Sequence, residues 1–256
     1  MKHNYLDQYS DLNSFIHSRS PVIKLISFVM FIVFIVLTDP SLFMSFALYG
    51  CLIVVLIFMS RIPITYILKK AISIVPFIFA IAIFIPFLKE GKALWEHDFG
   101  ILRLAVTHEG LMMFWNVIIK ACLSVLCMVL LMASTGFTKL LKASEDLKIP
   151  KLIVMIFSFM YRYIFVLQDQ LERMKVAKDS RSVGGKRLPQ IKALSNMLGV
   201  LFIKSYERGE AIYLAMCSRG FDGRIITFDQ DRINKSDVFF LLILGILLTC
   251  IVIVNK

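Results

Sequence analysis

The sequence is poor in the groups that chemistry inside a membrane would need. It holds four His and two Trp in 256 residues, and 18 Asp plus Glu against 29 Lys plus Arg. Its long apolar runs contain almost no ionisable residue. Ionisable groups at membrane depth are costly and mark polar pathways or reaction centres, so their scarcity argues against a membrane enzyme and against a self-sufficient permease or channel. Lys120 is the exception: it can pair with a partner or line a cavity, or it can snorkel to an interface. The five Cys are equally uninformative as chemistry. Cys51, Cys122, Cys127 and Cys250 lie in apolar runs, Cys217 lies near a charged helix end, and none falls in a segment assigned outside, which excludes a disulfide framework. Cys122 and Cys127 are five residues apart, about 500° around a helix, and share no face for a metal. The first twenty residues, MKHNYLDQYSDLNSFIHSRS, lack the apolar middle and cleavage site of a secretory signal. No base-stacking motif accompanies the net charge of +11, so nucleic acid is not the expected partner.

What is abundant is apolar surface. Hydrophobic residues make up 58% of the chain, with 22 Phe and 13 Met, too much for one soluble domain of this length. Five segments approach the roughly 20 apolar residues that cross a bilayer: 21–38, 41–59, 71–88, 110–135 and 237–254. The expected fold is all-α, a polytopic membrane protein with a cytoplasmic domain of long helices. Pro76 and Pro86 predict a kink or break in the third span. The loop from Ser60 to Lys70 carries Arg61, Lys69 and Lys70 and no acid, so the positive-inside bias places it, and the N-terminus, in the cytoplasm of a multi-pass protein of the cell's inner membrane. The loop from Lys89 to Glu109 then falls outside; His97 and His108 there, beside Glu96, Asp98 and Glu109, read as an ordinary solvated loop or a weak cation site.

Residues 136–236 hold 18 Lys or Arg against 10 Asp or Glu. The division is therefore an N-terminal membrane domain over 1–135, a cytoplasmic domain over 136–236 and a final span over 237–256. The stretch 152–167 is apolar enough to suggest a further span. It is only 16 residues long, however, with Arg162 near its middle at a cost of about 2.5–3.5 kcal/mol. It would also move 13 Lys and Arg between Arg173 and Lys235 outside. It reads instead as the buried half of a long helix running from Lys151 to about Ser180, apolar at its base and charged at its tip. A second long helix begins near Pro189 and runs to about Ser218, with Ile191, Leu194, Leu198 and Leu201 on one face. Each ends in a serine and an arginine: Ser180, Arg181 and Ser182 at the first tip, Ser218, Arg219 and Gly220 at the second. Arginine on a rigid helix end offers a planar fork of donors to carboxylates or carbonyls of a partner; the plainer function of such a residue is to complement the helix dipole, worth about 0.3–1 kcal/mol.

These residues resemble the T components of energy-coupling factor (ECF) transporters. The match is carried by AMCSRGFDG, with Ala215, Met216, Arg219, Gly220, Phe221 and Gly223 in place, preceded by ERGEAIYLAM. It is carried also by the entry LDQYSDLNSFIHSRSPVIKLI, with Pro21, Lys24 and Leu25, which is most similar to the cobalt and nickel (CbiQ-type) subgroup. At the first tip Ser180 and Ser182 stand where that family has Ala and Gly. The resemblance implies a non-catalytic subunit that binds no cofactor itself. It would join a substrate-binding membrane subunit to two cytoplasmic ATPase subunits that bind the ATP, with Arg181 and Arg219 seated on the ATPases. Cobalt or nickel is the implied cargo; the alternatives are a vitamin-specific T component or a self-sufficient permease.

Overall fold

A computed structural model describes residues 9, 12, 14–40, 42–88, 93–98, 103–181, 187–223 and 234–254. The helices among them are α1 (Pro21–Leu37), α2 (Phe43–Ser60), α3 (Ile64–Ala82), α4 (Ile85–Leu88), α5 (His108–Ser134), α6 (Phe137–Asp146), α7 (Lys151–Arg181), α8 (Arg187–Cys217) and α9 (Lys235–Val254). A two-stranded antiparallel hairpin, β1 (Ala93–Asp98) and β2 (Arg103–Thr107), links α4 to α5. The architecture is that of an all-α polytopic membrane protein. The chain divides into two compact units, Asn4–Ala143 with Asp231–Lys256, and a second built on Ser144–Gln230.

In the first unit α1 is central. Phe28, Phe31 and Ile35 of α1 pack with Phe46, Tyr49 and Ile53 of α2, Cys127, Leu130 and Leu131 of α5, and Leu244 and Leu248 of α9. Phe31 meets Tyr49 edge-on at 5.8 Å. Gly50 and Gly245 face neighbouring helices at ordinary packing distance: a Cβ there would stand 3.8 Å from Leu123 and 3.6 Å from Met30. The side chains turned outward, such as Phe58, Phe77 and Ile81, are large and apolar, as lipid contact requires.

Five helices are long and apolar enough to cross a membrane: α2, α3, α5, α7 and α9. α1, at 17 residues, is one residue shorter than α2, but it lies antiparallel within the bundle along α5. Three contacts fix that pairing. Lys24 Nζ donates to Ser134 O at the end of α5 (3.2 Å), Cys127 Sγ lies 3.8 Å from Phe28 O, and Lys120 Nζ donates to Val36 O (2.9 Å) and Thr38 O (2.7 Å) at the end of α1. α9 begins at the same end as α1, because Arg19 bridges to Asp237 at 3.3 Å. Asp237 also accepts from Asn234 N at 3.1 Å, closing the N-terminus of α9 as a capping box does. The segment after Ser134 therefore leaves the first unit and rejoins it at one and the same end.

The third span begins earlier than its hydropathy implies. Pro63, with φ −60°, caps α3, so the connection after α2 is only Arg61–Pro63, and Lys69 and Lys70 lie inside the helix rather than in a loop. α3 continues through Pro76; the break comes at Ile83 and Phe84, just before Pro86. The connection from α4 to α5 is not irregular, since the hairpin occupies much of it, with His97 opposite Leu104 and Asp98 opposite Arg103. The side chains of His97 and His108 lie outside the described residues.

Candidate docking site

The two arginine tips belong to the second unit, where α7 and α8 pack against each other. α7 has no Gly or Pro over 31 residues, and Pro150, immediately before it, accepts the amides of Ile153 (2.9 Å) and Val154 (3.4 Å). Lys178 and Arg181 stand in its last turn, where the exposed carbonyls favour cations. Ser180 Oγ turns back to Val176 O at 2.9 Å, so the serine closes the helix rather than reaching outward. Arg181 is the final helical residue and is exposed. Ser182, Gly184, Gly185 and Lys186 lie outside the described residues.

The α8 tip is built more firmly. Phe221 N donates to Met216 O at 3.1 Å and Gly220 N to Cys217 O at 3.0 Å, with Gly220 at φ +77°. That is the Schellman cap, in which a left-handed residue closes the last carbonyls. Glycine is required because a Cβ in this conformation costs about 1–2 kcal/mol; space is not the constraint, since nothing lies within 4 Å of that Cβ position. Arg219 is the residue held between helix and cap. Its amide bonds Met216 O at 3.0 Å, Ser218 Oγ bonds Ala215 O at 2.9 Å, and its own side chain is exposed. Gly223, at φ +84°, makes the next turn. The sequence CSRGF thus fixes an arginine backbone while leaving its guanidinium free to bind.

Between α7 and α8 runs an apolar groove of about 370 Å³, lined by Ile156, Met160 and Tyr163 on one side and by Gly209, Ile212 and Met216 on the other. The first half of α7 therefore lies against the second half of α8. Arg219 follows Met216 by three residues, directly at the groove's end. Arg181 follows Leu167, the last α7 residue in the groove, by 14 residues, about 21 Å along the axis. One tip adjoins the helix contact and the other ends a long projecting strut.

The burial expected for the first half of α7 is not supplied within this chain. Val154 is its only buried residue among those described, and Leu152, Ile156 and Ile164 are exposed. The apolar face of α8 is likewise open at Ile191, Leu194 and Leu198. The periodicity located these faces correctly, but hydrophobic pattern alone does not say whether the cover is the same chain, lipid or another protein.

Two features escaped the sequence. Lys24, only 2% exposed, is a structural donor rather than an interfacial charge, and Lys120 caps α1 instead of lining a pathway. Asn116 reinforces that end by donating to Pro40 O at 2.9 Å. The signal available was a lysine at the start of one apolar run and another inside a second; which helix each would meet was not legible. Among the described residues no group of three or more His, Cys, Asp or Glu is arranged to hold a metal.

Comparison with known proteins agrees with this architecture. The family described as cobalt transport protein, CbiQ, matches residues 12–228. An uncharacterized protein of Methanocaldococcus jannaschii is 29% identical over 98% of this chain and 87% of its own length. The energy-coupling factor transporter transmembrane protein EcfT of Ruminiclostridium cellulolyticum is 25% identical, covering 98% and 96%, and that of Listeria innocua is 26% identical, covering 87% and 86%. The family match takes in the entry to α1, every helix from α1 to α8 and both tips, and the chain belongs to the cobalt transport protein (CbiQ) family of ECF transmembrane T components.

Proposed function

We propose that this transporter subunit couples ATP hydrolysis on two cytoplasmic ATPase subunits to a separate substrate-binding membrane subunit, with Arg181 and Arg219 as the points of attachment. The observation that carries the reading is the Schellman cap around Arg219. A backbone fixed by the bonds to Met216 and Cys217 presents an exposed guanidinium at the end of a 31-residue helix. A fork held in place loses little freedom on docking, and bidentate carboxylate or carbonyl partners reward that orientation. Displacement of a docked tip is then carried along the helix to the groove against α7. The open apolar faces of α7 and α8 supply surface for the substrate-binding subunit and for lipid.

The return of the chain to its starting end of the first unit supports a cytoplasmic location for residues 136–236. An even number of crossings must separate Ser134 from Asp237, and α7 qualifies as a span by length and composition whereas α8 does not. A single crossing by α7 would leave the chain on the wrong side. We therefore read 152–167 as non-spanning and the N-terminus as inside. The family's description as cobalt transport protein supports cobalt or nickel as cargo, held by the partner subunit. Charge reversal tests the coupling role. Arg219→Glu should abolish co-purification of the ATPases, because an unpaired charge is then forced into a docked interface; Lys192→Glu, on an exposed face of α8 away from the tip, should not. Equal retention by both variants refutes the assignment.

A further inference from the structure

The seam between α2 and α9 holds a second groove, used by neither tip. Leu52, Leu56 and Met59 of α2 and Phe240, Ile243 and Leu247 of α9 form its walls, Arg19 and Ser236 close one end, and its volume is about 260 Å³. From Ser236 to Leu247 the α9 wall is eleven residues, about 16 Å, which is the depth of one leaflet of a hydrocarbon core about 30 Å thick. The groove is open along its length and lined almost wholly by apolar side chains, a trough in which an acyl chain can lie along the two helices.

Its mouth is positive. Arg19 donates to Asp237 through one terminal nitrogen at 3.3 Å, while its Nε has no partner among the described residues. Arg61, exposed at the left-handed cap of α2, comes two residues after Met59, and Lys235, also exposed, immediately precedes Ser236. Asp237 beside them is paired with Arg19 and accepts from the Asn234 amide, so the net positive charge of the mouth is that of Arg61 and Lys235. Basic pockets between membrane helices on the cytoplasmic side suit anionic lipid head groups. We propose that the α2/α9 groove binds one anionic glycerophospholipid, its acyl chain along the two helices and its phosphate at the basic mouth formed by Arg19, Arg61 and Lys235.

Native mass spectrometry of the purified full chain, titrated with phosphatidylglycerol or with phosphatidylcholine of the same acyl composition, tests this. The wild type should retain one phosphatidylglycerol in preference to phosphatidylcholine. Combining Arg61→Asn with Lys235→Gln should weaken phosphatidylglycerol about thirtyfold, roughly fivefold per charge removed, and leave phosphatidylcholine unchanged. Ile243→Trp, which fills the trough and keeps the charge, should displace both lipids. The wild-type comparison decides the matter even where a variant folds poorly. Equal retention of the two lipids would reduce the groove to ordinary annular contact and overturn the proposal. So would a photo-crosslinker at position 243 that captures a protein of the native complex in place of lipid.

Discussion

Lys24 in the first turn of α1 and Lys120 midway along α5 each donate to the carbonyls that end the other helix. In a membrane such carbonyls have no water to turn to, so the exchange satisfies both termini and fixes the register of α1 on α5. Lys120→Met should lower the melting temperature in detergent, at a cost of about 1–3 kcal/mol for carbonyls left unpaired, without loss of cargo selectivity. His17 offers a second test. Its Nε2 donates to Tyr9 O at 2.9 Å, and its Nδ1 accepts from Ser14 at 2.6 Å, the pattern of a neutral ring. Burial, with Lys24 and Lys139 nearby, lowers its pKa below 6.5. A histidine depressed in the fold favours folding when neutral, so its contribution is complete above 6.5 and fades as pH falls through the lower folded value. Melting followed downward from neutral pH should show that loss in the wild type and less of it in His17→Asn. Gly220→Ala should loosen the Arg219 tip and weaken ATPase binding through a strain of about 1–2 kcal/mol. Gly199→Ala, in open space within α8, should stabilise by about 0.5–1 kcal/mol.

At the scale of elements, α7 and α8 were legible almost to the residue. Lys151 to Ser180 contains no breaker, and the serine, arginine and glycine at the second tip mark a cap whose bonds then follow from backbone geometry alone. α3 was not legible at its start. Its first turns, ITYILKK, mix aromatic, apolar and charged residues, so hydropathy marked only the lipid-crossing part while the helix itself begins at Pro63. α6 was missed for a similar reason: ten residues with two lysines and two acids carry an amphipathic signal too short to separate from a loop. The hairpin before α5 was hidden because ALWEHD and RLAVT are brief and mix charged with apolar residues, too short a pattern to separate from a polar loop. The apolar half of α7 was read as buried, and among the described residues Val154 is the one buried position in it. A helix that is apolar all round reports only that water is not its neighbour.

For the molecule as a whole, the contacts at Lys24 and Arg19 bring the end of α5 and the start of α9 to one end of the membrane unit, and the basic segment lies between them. Cys217, exposed two residues before Arg219, reports the side. A membrane-impermeant maleimide should label it in inside-out vesicles and not in right-side-out ones. The membrane character could be read from hydropathy, and the tips from helix-end chemistry. The partners could not be read from composition, because apolar docking surface and lipid-facing surface are built from the same residue types. The central claim is that this chain works only as the link between an ATPase pair and a second membrane subunit. Affinity purification of the tagged chain from its native membrane in mild detergent, with mass spectrometry of what remains bound, tests that most directly. Recovery of ATPase subunits together with a small membrane protein carrying the cargo is the predicted result. Recovery of the chain alone, with transport retained in liposomes, would contradict it.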